Sequence, residues 1–377
     1  MSANNPPRPL ALHFGAGKIG RGFLGQLYFE SGFETVFADV DSNLVDAINA
    51  SGAYPLELAE EPLRSIEICN VSALNVRDDV GISNAILTAA VVSTAVGVRA
   101  LEQLTGVIAQ GVRARIEAHA PPLNIIVCEN DRFAAASLRE RVLGVLPTPL
   151  RDALDARIGF VPASIGRMVT DVPEAERRDP LIVRAEPYAV LPVDADAVRG
   201  VLPPIIGLKA VSPFDAELDK KLFIHNGAHA ALAYLGHLRG HALIADAFAD
   251  ARVAAIARCA MEEVRQALQA RWNVDAQSLI EDLRRRFANR ALGDTVERVA
   301  RDPLRKLGHE DRLIGAARRC AEHGVAPKHV CIAAAAAVLY DHRADPAAVE
   351  LARLRKEEGV DAVLARVCGL AADSPIA

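Results

Sequence analysis

Leu10-Ala11-Leu12-His13-Phe14-Gly15-Ala16-Gly17-Lys18-Ile19-Gly20 begins a stretch that runs through Arg21 to Asp39 and orders the reading of everything after it. The apolar run Leu10 to Phe14 reads as a strand, and Arg21 to Glu30 reads as a helix. Between them the first glycine permits a tight turn. The second lets backbone approach a diphosphate, and the third lets the helix pack closely on the strand. A diphosphate would sit at the helix N-terminus, where unpaired N–H groups and the helix dipole favour anions. Three glycines alone are weak evidence, because such turns serve many folds. Here a strand precedes them and a helix follows. A second strand, Thr35 to Ala38, then ends in Asp39, about twenty residues beyond the turn, where an acid would meet ribose hydroxyls. A carboxylate there would repel a 2'-phosphate, and the next residues are Val40 and Asp41 rather than arginine, so the expected cofactor is NAD. The expected cofactor set is Gly15, Ala16, Gly17, Lys18, Ile19, Gly20 and Asp39, with Thr94 and Val96 from a later strand end.

Further strands are expected at Ala89 to Thr94 and Leu123 to Cys128. These runs are nearly continuous in apolar residues, as strands covered by helices on both faces should be, which predicts a doubly wound parallel sheet. From Gly159 to Pro213 the texture changes to short β-like pieces, such as Leu181 to Ala185 and Tyr188 to Pro192. Beyond Asp215 helix-length segments dominate: Asp219 to Leu238, Ala245 to Ala270, Ala276 to Phe287 and Pro346 to Glu357. Ala333 to Ala337 reads as a close-packed helix contact, and Gly324 and Pro346 suit a helix end and a helix start. The expected architecture is α/β: a Rossmann-type domain with a β extension over residues 1–195, then an all-helical domain over 196–377.

The 377 residues carry a net charge of -5 with both signs interspersed, so no basic field exists for nucleic acid or an anionic membrane. No apolar run approaches the roughly 20 residues a bilayer needs. The first residues, MSANNPPRP, lack the charged and apolar regions of a leader, so a cytoplasmic protein is expected. Six cysteines are scattered without a C-x-x-C pair, which predicts reduced thiols rather than zinc or disulfides. Oligomeric state is left open, and a monomer is compatible.

In the helical half, Lys221-Leu222-Phe223-Ile224-His225-Asn226-Gly227-Ala228-His229 gathers polar groups near the start of a helix. At about 100 degrees per residue, Lys221, His225, Asn226 and His229 fall within a wedge of roughly 140 degrees. Oxidising an alcohol by hydride transfer needs a base for the hydroxyl proton and donors for the developing alkoxide. A lysine depressed by a dry site can be that base, and amides such as Asn226 and Asn130 can be the donors. Asn130 follows the strand ending at Cys128, where a doubly wound sheet places its ligands. His225 and His229 also have the spacing of two helical metal ligands, but no glutamate neighbours them and no third ligand is evident, so no metal is expected. A plain solvated helix face is the third reading.

Taken together, the blocks LHFGAGKIGRGFLG, FADV, STAVG, PLNIIVCEN, KLFIHNGAHA, RRRFANR and VERVARDPLRKL with DRLI make the chain resemble the long-chain, metal-independent polyol dehydrogenases of the mannitol dehydrogenase family, from Leu12 to about residue 370. The resemblance implies that Lys221 is the general base, that Asn130 and Asn226 hold the alcohol and its alkoxide, and that His229 binds and orients substrate. It also implies NAD-linked, reversible oxidation of D-mannitol 1-phosphate to D-fructose 6-phosphate, so a polyol or sugar phosphate is the expected partner. Alternatives are an unphosphorylated polyol, a hexuronate, or a nucleotide sensor without turnover. Two positions depart from the family pattern: Gly166 stands where an aspartate is usual before Arg167, and Pro162 where Asn or Asp is common. Both bear on the substrate rather than on the lysine chemistry. Arg167 and the basic cluster Arg298, Arg301, Arg305 and Lys306 are the candidate substrate contacts, the cluster for a phosphate.

Overall fold

A computed structural model describes residues 7–371, Ser374 and Ile376. Among the described residues the strands are β1 (Leu10–Phe14), β2 (Glu34–Asp39), β3 (Ala53–Leu58), β4 (Arg64–Cys69), β5 (Val71–Asn75), β6 (Val91–Thr94), β7 (Leu123–Val127), β8 (Ile158–Pro162), β9 (Val169–Thr170), β10 (Val183–Ala185), β11 (Leu191–Asp194) and β12 (Leu208–Val211). Six of them form one parallel sheet in the order β5-β2-β1-β6-β7-β8. The order reverses between β1 and β6, which is the switch point where a doubly wound sheet opens a crevice. Register brings the carboxyl ends level, because Phe14 pairs with both Ala38 and Thr94, and Thr94 pairs with Val127. The central strands β6 and β7 are buried along their whole length, as a sheet covered on both faces requires.

Two features of this half lay outside the sequence expectation. The antiparallel pair β3 and β4 interrupts the doubly wound pattern after the helix Ser42–Ser51, and joins β10 and β9 in a second sheet of order β4-β3-β10-β9. The expected pieces near 181–192 are therefore β10, one strand of this extension, and β11, which pairs in parallel with β12. That last pairing keeps residues 196–211 with the sheet. The chain divides into compact units at Met1–Phe214 and Asp215–Ala377, so the divide anticipated at 195/196 moves to 214/215.

From Asp215 onward no strand occurs among the described residues, only one isolated bridge between Leu243 and Thr295. The central element is the helix Asn226–Leu238, in which every residue from Gly227 to Gly236 is buried. Its small residues explain how neighbours close around it. A Cβ on Gly236 would stand 2.8 Å from the Ala247 Cβ, and one on Gly227 would stand 3.0 Å from the Arg312 carbonyl oxygen. The helix anticipated over 245–270 is two helices, Ile244–Ala249 and Ala251–Trp272. Asp250 breaks them with an extended backbone, and its carboxylate accepts the N–H groups of Arg252 and Val253. The last long helix runs Pro346–Arg366 and is interrupted at Gly359, where φ is 87°. No helix among the described residues is long and apolar enough to cross a membrane.

Candidate active site

In the first unit, a cleft of about 900 Å3 lies beyond the carboxyl ends of β1, β2 and β6, lined by Gly15, Gly17, Asp39 and Val96 among others. Each glycine is required for a different reason. Gly15 has φ of +99°, and a Cβ there would meet the Ala95 carbonyl oxygen at 2.6 Å. A Cβ on Gly20 would lie 2.0 Å from the Gly15 oxygen and 2.9 Å from the His13 ring. Nothing lies within 4 Å of the Gly17 Cβ position, so that backbone faces open cleft. Asp39 ties the turn to β2, accepting the Ala16 N–H at 2.7 Å on Oδ2 and the Asp41 N–H at 3.0 Å on Oδ1. A carboxylate accepts about four hydrogen bonds, so capacity remains for ribose hydroxyls. These features fit a dinucleotide: a turn with no room for side chains, an open backbone at its middle glycine, and an acid at the next strand end.

Of the other expected cofactor residues, Ala16, Lys18, Ile19, Gly20 and Thr94 are not among those that line this cleft. Ile19 is half-buried in the apolar core, and the exposed Lys18 ammonium meets Asp171 at 2.6 Å. Thr94 is buried and donates to Glu129 Oε1 at 3.0 Å. The same buried carboxylate accepts the N–H of Val96 at 3.0 Å and of Gly97 at 2.8 Å, so Glu129 shapes the turn after β6. Nothing in the sequence around Glu129 marks it apart from its exposed neighbour Asn130. Arg167 is 4% exposed; its guanidinium donates to the Glu186 carbonyl at 2.8 Å and to Gln26 Oε1 at 2.7 Å, and lies over the Phe23 ring. It is engaged by the protein itself. At Gly166 a Cβ would touch Tyr188 at 3.4 Å, so Tyr188 borders the place where the family pattern has an acid.

In the second unit, Lys221 and Asn226 lie on a local widening of the helix. Residues Lys220–His225 form a π-helical turn, closed by the Asn226 N–H bonding to the Lys221 carbonyl. The wedge drawn at α-helical pitch does not apply across it. An i to i+5 bond instead stacks residues five apart, which sets Asn226 one turn above Lys221. Burial, reinforced by the Arg312 guanidinium, pushes the Lys221 ammonium down to about 8. His225 is buried, with its ring centroid 6.0 Å from Phe287 and 6.1 Å from His229, and burial holds it well below the usual imidazole range. Among the described residues no three His, Cys, Asp or Glu side chains gather to hold a metal.

His229 donates or accepts at 2.7 Å with Asp294, whose other oxygen accepts Arg298 Nε at 2.8 Å. Arg298 is thus paired with a carboxylate. Arg305 pairs with Asp302 at 2.8 Å and Asp311 at 3.2 Å, and Arg301 is exposed at the end of the helix Val296–Ala300. Lys306 is buried and donates to the Arg301 carbonyl; burial, with Arg312 and Arg305, pushes its ammonium down to about 7. Arg312 therefore acts on both depressed lysines, a role that its place in the DRLI block does not reveal. Asp294 was missed too, because nothing in its local sequence reveals a partner 65 positions away.

Two family models match, the mannitol dehydrogenase Rossmann domain over residues 9–207 and the mannitol dehydrogenase C-terminal domain over residues 211–374. A mannitol-1-phosphate 5-dehydrogenase of Caldanaerobacter subterraneus subsp. tengcongensis is 36% identical over 369 residues, covering 97% of this chain and 95% of that protein. One from Brevibacillus brevis is 36% identical over 370 residues with the same coverage of 97% and 95%. In fold, the chain is similar to the Pseudomonas fluorescens mannitol 2-dehydrogenase in its ternary complex with NAD and D-mannitol, with a TM-score of 0.76 at 18% identity, covering 96% of this chain and 87% of that one. The two models together span nearly every described residue, and on that ground the chain belongs to the mannitol dehydrogenase family.

Proposed function

We propose that this chain is an NAD-dependent polyol-phosphate dehydrogenase that interconverts D-mannitol 1-phosphate and D-fructose 6-phosphate in the cytoplasm without a metal. The observation that carries the reading is Lys221: a half-buried amine pushed to about 8, one π-turn from Asn226, which begins the helix that carries His229. An amine with that pKa holds or releases a proton near neutral pH, as a general base for an alcohol must. When bound, the nicotinamide supplies the hydride acceptor. Gly15, Gly17 and Gly20 give the cofactor diphosphate its approach, and Asp39 takes the ribose hydroxyls. Lys221 accepts the hydroxyl proton, Asn226 donates to the oxygen as its charge grows, and His229 orients the substrate. The similar proteins named as mannitol-1-phosphate 5-dehydrogenases support the phosphorylated substrate, as does Arg312 acting on Lys306 in a chain of net charge -5.

An unphosphorylated polyol or a hexuronate is the second reading, favoured by the carboxylate partners already held by Arg298 and Arg305. NADH oxidation with fructose 6-phosphate, fructose, tagaturonate and fructuronate in parallel separates the two. Turnover confined to fructose 6-phosphate, inhibited competitively by millimolar inorganic phosphate and indifferent to chelator, is the expected result. Turnover on a free sugar or hexuronate alone would move the assignment to the second reading, and cofactor binding without any turnover would leave a nucleotide sensor.

A further inference from the structure

We propose that Asp294, clamped by Arg298, is a positioning residue that keeps a proton on His229 Nε2 and leaves Nδ1 as the acceptor presented to a substrate hydroxyl. The inference rests on the reading of His229 as a substrate-binding residue. Its geometric basis lies wholly within the second unit. His229 Nε2 and Asp294 Oδ2 are 2.7 Å apart, and both side chains are nearly inaccessible, at 11% and 5%. Such a pair is not one of the exposed ion pairs that contribute little to a fold. The opposite oxygen, Oδ1, accepts Arg298 Nε at 2.8 Å and a second guanidinium N–H from Nη2. Burial by itself would raise the Asp294 carboxyl. His229 and Arg298 outweigh that and hold it below the usual carboxylate range.

An ionised carboxylate only accepts hydrogen bonds, so Nε2 must donate, and a proton held at Nε2 leaves Nδ1 as the ring nitrogen able to accept. The backbone gives the carboxylate little freedom. Gly293 turns at φ of 64°, the Asp294 carbonyl accepts the Ile244 N–H at 2.9 Å, and Thr295 bridges to Leu243 and caps the next helix. The imidazole is equally confined, with Phe287 at 5.2 Å and His225 at 6.1 Å between ring centroids. A histidine meant only to fill this core would need no charged partner. Burying a carboxylate is costly unless it is paired, and this one is paired on both oxygens. The arrangement also gives Arg298 a use other than phosphate binding: it neutralises and orients the acid that orients the histidine.

The test uses the full chain labelled with 15N in its histidine rings. A long-range 1H–15N correlation reads which nitrogen carries the proton, and loss of one signal set in His229→Gln assigns His229 among the ten histidines. The expected spectrum has a protonated Nε2 and a bare Nδ1, shifting toward the Nδ1–H form in Asp294→Asn, whose amide can donate to Nε2. A wild-type ring with its proton on Nδ1 would overturn the proposal. The kinetic arm is a double-mutant cycle. Asp294→Asn should lower kcat at least tenfold in the wild-type background with NADH binding unchanged, but less than twofold in the His229→Gln background. Equal losses in both backgrounds would show that the acid acts independently of the histidine and would also overturn it. Should Asp294→Asn fail to fold, the wild-type spectrum still decides. Because that spectrum needs no substrate, absence of turnover on polyol phosphates would refute the functional reading while leaving the spectrum to judge Asp294.

Discussion

Lys221 and the three glycines carry the most direct consequences at the scale of single residues. Lys221→Ala should lower kcat by about 10²- to 10⁴-fold, the usual contribution of a positioned acid or base, while NADH binding measured by fluorescence stays within twofold. Because the amine is pushed down to about 8, polyol oxidation, which needs it neutral, should rise as pH passes upward through that value. Ketose reduction, which needs it protonated, should fall over the same interval; identical profiles in the two directions would remove Lys221 from the proton transfer. The glycines should separate cleanly. Gly17→Ala adds a methyl into open space and should leave the melting temperature nearly unchanged while raising KM for NAD tenfold or more. Gly20→Ala places a methyl 2.0 Å from the Gly15 oxygen, and its loss should appear in stability and soluble yield.

At the scale of elements, the turn after β6 is held from outside by one side chain. Glu129 accepts three hydrogen bonds, from the Thr94 hydroxyl and the Val96 and Gly97 amides. Glu129→Ala would leave amides short of partners, at a cost of about 1–3 kcal/mol by the usual penalty for an unsatisfied buried group. Because Val96 lines the cleft, NAD affinity should fall severalfold, and hydrogen exchange at 95–97 should quicken ahead of the rest of the sheet. The π-turn at Lys220–His225 is the comparable feature of the second unit. It makes residues five apart neighbours, a relation that α-helical spacing denies, and so brings a lysine and an asparagine at that interval onto successive turns.

For the molecule as a whole, each compact unit has its own apolar core. The cluster around Ile224, Leu232 and Ala257 contains only residues beyond Phe214, and those around Leu12, Leu27 and Tyr54 contain only residues before it. A fragment of residues 9–214 should therefore fold, bind NADH and show no turnover, checked by circular dichroism and fluorescence titration. NAD at about 100 times its Kd should stabilise that fragment by about 2.7 kcal/mol. No shift on adding NAD would place the cofactor elsewhere.

What the sequence determined by itself was whatever depends on neighbours along the chain. The strand, glycine turn and helix from Leu10 to Glu30 were legible because backbone freedom and apolar runs are local properties, and so was Asp39 at the next strand end. The helical second half showed in its periodicity for the same reason. The tertiary structure alone decided who partners whom. That Asp294 accepts from Arg298, and that Gln26 and the Glu186 carbonyl accept from Arg167, is written nowhere in the stretches around those arginines. The extension built on β3 and β4 escaped notice because it closes by pairing β3 with β10, residues more than a hundred positions away that no window along the chain joins. The proton affinity of Lys221 likewise comes from burial and from Arg312, and burial exists only once the chain has folded.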